Sequence, residues 1–271
     1  MATYIDALGR AVDIASPPER IVSLVPSITE ALFAFGASDR VVGVTRFCIE
    51  PAAAVADVPK VGGTKDVDCS RVLGLNPDLV IANVEENTQA DIDRLLDAGL
   101  TVLVTYPRTV AEAIGELRLI AEITHTATTA EPYLADAQNE LRTATQLTAH
   151  YSPLATSVFC PIWRKPWMTI GPETYIHDML RICGGLNVYG DSEDRYPTVT
   201  LGEVHRRAPT IVLLPDEPYP FKPKHAKEVI AGLGDVRIHF VDGKDLCWYG
   251  PRIGPAIRSI SRLLTEGQDS S

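Results

Sequence analysis

Short apolar runs bounded by Pro, Gly, Asn or Asp alternate along the chain with segments whose apolar residues recur at helical spacing. That alternation is the pattern of βα units built around a mostly parallel sheet. Thr3–Asp6 and Ala11–Ile14, separated by Ala-Leu-Gly-Arg, predict a small hairpin. Ile21–Val25 predicts a strand, and Pro26-Ser27 opens a helix that runs to Phe35 and stops at Gly36. Val41–Val44, Leu79–Ala82 and Thr101–Val104 predict further strands. Asn87 serves as the expected N-cap of a helix ending at Ala98-Gly99.

From Thr109 to His150 the strand pattern disappears. Ala, Leu, Glu and Gln dominate, and a break at Thr124–Thr129 divides two helices. The second, starting at Thr129 with Glu131-Pro132 in its first turn and running to about Ala149, is roughly 30 Å long at about 1.5 Å per residue. Its length predicts a rigid connector between two lobes, a packed core helix being the alternative. After Tyr151-Ser152-Pro153 the βα pattern resumes with strands at Ala155–Phe159, Trp167–Ile170, Ile211–Leu214 and Ile238–Val241. Helices are expected over Tyr175–Cys183 and from about Pro251 to Leu264. The segment Val72–Ile81 echoes Val204–Leu213: in each a helix ends before Pro and a buried strand starts two residues later. The expected organisation is an N-terminal α/β lobe over 1–108, a helical connecting segment over 109–150 and a C-terminal α/β lobe over 151–271.

Composition bounds the function classes. The chain of 271 residues, 45% hydrophobic and 22% charged, can bury a sizeable core without disulfides or metal. Its 25 Lys+Arg against 35 Asp+Glu give −10, which argues against nucleic acid or anionic membranes as general partners. No apolar run is long enough to span a bilayer, so membrane insertion is not expected. The N-terminal residues show no basic stretch followed by an apolar one. As written the chain therefore reads as cytoplasmic, or as periplasmic or cell-surface if a leader precedes it. Five widely spaced cysteines with no CxxC read as free thiols.

The chemistry collects where strands end. Ligands bind outside the carboxyl ends of strands in open α/β sheets. There the chain places Arg46, Phe47 and Cys48, then Tyr106 and Arg108. In the second half it places Trp163, Arg164 and Trp167, then Tyr219, and last Trp248, Tyr249 and Arg252. Aromatic rings on loops predict a pocket that stacks a large planar or apolar ligand, and interleaved guanidinium groups predict anionic groups on that ligand. Cys48 and His177 are the foremost candidate metal ligands, with His225 and Cys247 behind them. A P-loop, a GxGxxG after the first strand and a GxSxG elbow are all missing. Cys48 with a distant His base keeps a nucleophilic enzyme open as an alternative.

The segments RIVSLVPSITEALFAFGASDRVVGVT, KVGG and NPDLVIAN resemble the N-terminal lobe of class III ABC-transporter substrate-binding proteins. These are the cobalamin- and iron-siderophore-binding receptors of the helical-backbone metal receptor superfamily. TYIDALGRAVDIASPPERIVSL is similar to the entry hairpin and first strand of the siderophore binders, and MLRICGGLNVYGD to a C-lobe helix and turn of the cobalamin-binding branch. The similarity extends from about residue 3 to 265. It implies two α/β lobes joined by one long backbone helix, with a ligand cleft between them lined by aromatic and Arg side chains. It also implies a non-enzymatic monomer whose partners are a small-molecule metal chelate and, if the chain is exported, an ABC-transporter permease. Cobalamin-like corrinoids come first as the ligand, ferric siderophore or haem second, and no cofactor is required. Cys48 or His177 would supply an axial ligand to the chelated metal. A cleft that recognises a protein partner is a further alternative.

Overall fold

The computed structural model describes residues 1–14, 17–151 and 156–265. It divides into two compact units: residues 1–107, 112–135 and 249–251 in the first, and 108–111, 136–248 and 252–271 in the second. Helix α6, introduced below, thus gives its opening turns to the first unit and the rest to the second.

The first unit begins with the antiparallel hairpin β1 (Ala2–Ile5) and β2 (Ala11–Ile14). β3 (Ile21–Ser23) leads into α1 (Pro26–Ala34), whose proline sits in the first turn, where a missing N–H costs nothing. Gly36, at φ 88°, then turns the chain out of the helix. β4 (Val41–Val44), α2 (Ala52–Val55), α3 (Cys69–Gly74), β5 (Leu79–Asn83), α4 (Gln89–Asp97) and β6 (Val102–Thr105) follow. The sheet is fully parallel in the order β4-β3-β5-β6. Val22, Leu24, Val80, Ala82, Val102 and Val104 bury one core with Val72 and Leu95. α5 (Val110–Ile123) and α6 (Ala127–Tyr151) complete the connecting region. α6 starts two residues before the expected Thr129, leaving Pro132 inside the helix. The expected N-cap Asn87 is displaced by Thr88, whose hydroxyl accepts from Asp91 N–H, because the Asn87 amide is committed to Asn83.

The second unit repeats the plan. Of the expected break at Tyr151-Ser152-Pro153 and strand at Ala155–Phe159, Ser152, Pro153 and Ala155 lie outside the described residues. β7 (Thr156–Phe159), β8 (Pro161–Trp163), β9 (Trp167–Thr169), α7 (Tyr175–Ile182), β10 (Gly185–Asn187) and β11 (Thr198–Val199) are followed by α8 (Leu201–Arg206) and β12 (Ile211–Pro215). α9 (Pro223–Leu233), β13 (Arg237–Val241), α10 (Gly243–Cys247) and α11 (Ile253–Thr265) close the chain. The main sheet, again parallel, runs β10-β7-β12-β13. Counting each unit's own sheet strands in chain order, both sheets read second, first, third, fourth. The internal echo has the same local geometry in both places: Asn76 and Ala208, each preceding a proline, both sit at φ 47°. Leu75 N–H bonds Arg71 and Val72 carbonyls at one corner, and Arg207 N–H bonds those of Glu203 and Val204 at the other.

One expectation is corrected here. Trp163, expected on a loop, instead ends β8, whereas Trp167 begins β9 where the strand Trp167–Ile170 was expected; the two pair as an antiparallel hairpin in a small second sheet, β11-β9-β8. The intervening Arg164-Lys165-Pro166 makes the turn, with Lys165 at φ 67°.

Candidate functional site

In the first unit the segment after β4 is built on the glycine pair of the KVGG motif. Arg46 N–H donates to Gly62 O at 2.8 Å, and Gly62 takes φ 95°, a conformation in which a side chain would be strained. A Cβ on Gly63 would run into the Asp66 carboxylate and come within 2.7 Å of the Arg46 guanidinium carbon. The glycines thus leave room for a bidentate pair, with Arg46 Nη1 3.0 Å and Nη2 2.9 Å from the two Asp66 oxygens. The same guanidinium lies 4.9 Å from the centre of the Phe47 ring, which is 49% exposed. Arg46 and Phe47 therefore form a held, solvent-facing cation–π pair.

Cys48 points the other way. It is 1% exposed, with Sγ 3.1 Å from Thr29 Oγ1 and 3.2 Å from Thr45 Oγ1. Burial pushes the thiol pKa up, against the hydroxyl contacts that lower it. A nucleophile needs access and a depressed pKa, and Cys48 has neither.

The ends of β5 and β6 are locked by buried amides that sequence reading missed. Asn83 Nδ2 lies 3.1 Å from Thr105 O and 2.7 Å from the Tyr249 hydroxyl, while Oδ1 accepts from Glu85 and Glu86 N–H. Asn87 Oδ1 accepts from Asn83 N–H, and its Nδ2 donates to Thr64 O. The signal was available: asparagine at the end of an all-apolar strand is a buried polar group that needs partners. Tyr249 is thereby a 6%-exposed member of this network, and burial raises its hydroxyl pKa well above the ordinary value. Tyr106 is half-buried, its N–H donating to Glu116 Oε1 at 2.8 Å.

In the second unit four expected residues come together: Trp163, Arg164, Trp167 and Tyr219. The Trp163 ring, 45% exposed, meets Tyr219 edge-on at 5.5 Å. Tyr219 lies 4.8 Å from Phe221, which stacks on Trp167 at 5.8 Å with the planes 6° apart. Arg164 sits 5.9 Å from the Trp167 ring and is fixed by Glu228, Nε to Oε2 at 2.8 Å. The cluster is an aromatic wall that runs from the exposed Trp163 through Tyr219 to the buried Phe221 and on to the half-buried Trp167.

The remaining candidates are placed elsewhere. Trp248 is only 7% exposed, between Lys244 at 5.9 Å and Arg252 at 5.6 Å. Arg108 lies 3.9 Å from exposed Glu173. His177 is half-buried with Nδ1 3.2 Å from Asn187 Nδ2, and desolvation lowers its pKa, favouring the neutral imidazole. His225 is spent on structure: Nδ1 accepts from Lys222 N–H at 2.9 Å, capping α9. Cys247 Sγ bonds Gly243 O at 3.1 Å. Among the described residues no group of three or more His, Cys, Asp or Glu could hold a metal ion.

A family profile described as "Periplasmic binding protein" matches residues 21–231. The vitamin B12-binding protein of Vibrio cholerae is 26% identical over 196 residues, covering 72% of this chain and 70% of that protein. The solved periplasmic vitamin B12-binding protein of Vibrio cholerae superposes with a TM-score of 0.80 at 22% identity, covering 94% of this chain and all (100%) of that one. A periplasmic haem-binding protein from Roseiflexus superposes at 0.77 with 24% identity, covering 93% and 99%. At such identities these two structures speak to the fold. Both are described as periplasmic, so the expected cytoplasmic placement finds no support in them. Among the described residues no helix is long and apolar enough to cross a membrane. With the profile spanning most of its length, the chain belongs to the periplasmic binding protein family, whose members bind a solute and do not transform it.

Proposed function

We propose that this chain is an extracytoplasmic receptor for a metal chelate, a cobalamin-like corrinoid first and haem or a ferric siderophore second. The single observation that carries the reading is the half-open wall Trp163–Tyr219–Phe221–Trp167 with Arg164 fixed at its side. A planar macrocycle offers that wall a π face, and its carboxylate or amide rim offers the guanidinium a partner. The Arg46–Phe47 pair supplies the same chemistry in the first unit, with Tyr106, Arg108, Trp248, Tyr249 and Arg252 as the remaining members of the set. The named B12- and haem-binding relatives favour the same ligand class.

In this reading the lobes expected at 1–108 and 151–271, with the segment 109–150, form a monomer that delivers its ligand to an ABC-transporter permease. Of the two candidate axial ligands, a neutral imidazole at His177 suits a chelated metal better than the buried, protonated thiol of Cys48. Titration of the purified chain with cyanocobalamin, followed by tryptophan fluorescence, tests the reading. Saturable one-to-one quenching is expected; no saturable response to cyanocobalamin, haem or a ferric siderophore would overturn it.

A further inference from the structure

Glu116 lies on α5, two turns beyond the loop that joins β6 to that helix, and its carboxyl reaches back to the loop's first residue. Oε1 accepts the Tyr106 N–H at 2.8 Å. Oε2 is buried and, among the described residues, has no hydrogen-bond partner. Glu116 borders a cavity of about 150 Å³ lined mainly by apolar residues, among them Ile5, Leu103, Leu119 and Ile120, together with Asp6 and Thr105. A buried carboxyl with one oxygen engaged and the other without a hydrogen-bond partner is an expensive anion and a cheap acid.

We propose that Glu116 is a pH-responsive positioning residue: its carboxyl clamps the Tyr106 loop, and ionisation tightens the clamp. The proposal rests on Tyr106 being a ligand contact, as read above. An ionised carboxylate makes a charge-assisted bond to an N–H, stronger than the bond to a neutral acid's carbonyl. Burial first, then Glu112 on the same helix, raises the Glu116 pKa to about 7, against the Tyr106 bond that lowers it. The clamp therefore changes state near neutrality. The other ionisable groups facing Glu116 among the described residues are Asp6, which lines the cavity and is ion-paired with Arg10 at 2.6 Å, and the Tyr249 hydroxyl. The Tyr249 pKa is pushed far above the range in question, so this hydroxyl stays neutral there.

The experiment follows the Tyr106 amide resonance in ¹⁵N-labelled full chain from pH 5.5 to 8.5, in the wild type, Glu116→Gln and Glu112→Gln. The wild-type amide proton should move downfield with a midpoint near 7, Glu116→Gln should abolish that titration, and Glu112→Gln should keep it with a lower midpoint. A flat wild-type amide, or the same titration in Glu116→Gln, overturns the proposal. The ligand arm measures cyanocobalamin affinity at pH 6 and pH 8. An increase of about fivefold in the wild type, absent in Glu116→Gln, is expected. Equal pH dependence in both proteins overturns the link to binding. If none of cyanocobalamin, haem and a ferric siderophore binds at any pH, the receptor reading fails, and the amide titration alone decides the role of Glu116.

Discussion

The Trp163 indole is an aromatic surface of which nearly half faces solvent, with Tyr219 as its ring partner. Truncation to alanine uncovers the roughly half of the ring that is packed, so it should cost about 2–3 kcal/mol of stability. It should cost ligand affinity by at least about tenfold, since aromatic anchors dominate binding energy. Denaturant unfolding and a cyanocobalamin titration of Trp163→Ala separate the two effects. Tyr249→Phe tests a buried hydroxyl instead. Removing the hydroxyl deprives Asn83 Nδ2 of a buried partner at 2.7 Å, a loss of about 1–3 kcal/mol measurable by the same unfolding experiment. Glu116 adds a pH signature. Its folded pKa, about 7, exceeds the ordinary 4.5, so its contribution is fully present below about pH 4.5 and is lost as pH rises through 7. Glu116→Gln should unfold at a higher denaturant midpoint than wild type at pH 8, by up to about 3 kcal/mol, with the gap closing toward pH 5.

At the scale of elements, the two proline corners make a matched pair with different residues in the left-handed position. Asn76 tolerates φ 47° through its short polar side chain, whereas Ala208 pays the Cβ penalty of about 1–2 kcal/mol. Ala208→Gly removes that penalty and adds about 0.5–1 kcal/mol of unfolded-state entropy cost. A net gain of about 0.5–1 kcal/mol is expected in urea unfolding, against almost none for Asn76→Gly. This corner was legible in the sequence because helix, proline and apolar strand are local signals. So were the buried strands at Val41–Val44, Leu79–Asn83 and Ile211–Pro215, whose apolar runs reflect burial on both faces. Thr88 was not legible as the cap, because the choice between Asn87 and Thr88 was made by Asn83, outside the helix. β9 was legible as the expected strand Trp167–Ile170, but β8 was missed for a similar reason. Three residues before the turn Arg164-Lys165-Pro166 carry no period of their own, and β11, far along the chain, completes the sheet.

Across the whole molecule, two units repeat one parallel strand order, and each holds a guanidinium that lies over an aromatic ring and is fixed by a carboxylate: Arg46 with Phe47 and Asp66 in one, Arg164 with Trp167 and Glu228 in the other. Sequence reading found the rings and the arginines because aromatic residues beside strand ends are out of place in a core. It missed the fixing acids, since Asp66 and Glu228 are brought to their partners by the fold and not by spacing. The net charge of −10 makes these held arginines local features set against the general field. Family membership and this chemistry meet in one claim, that the chain binds a metal chelate. Thermal unfolding of the purified protein with and without cyanocobalamin, haem and a ferric siderophore tests it most directly. A chelate at about 100 times its Kd adds about 2.7 kcal/mol, so cyanocobalamin should raise the unfolding temperature by several degrees. An unfolding temperature unmoved by every chelate in the set would contradict the account.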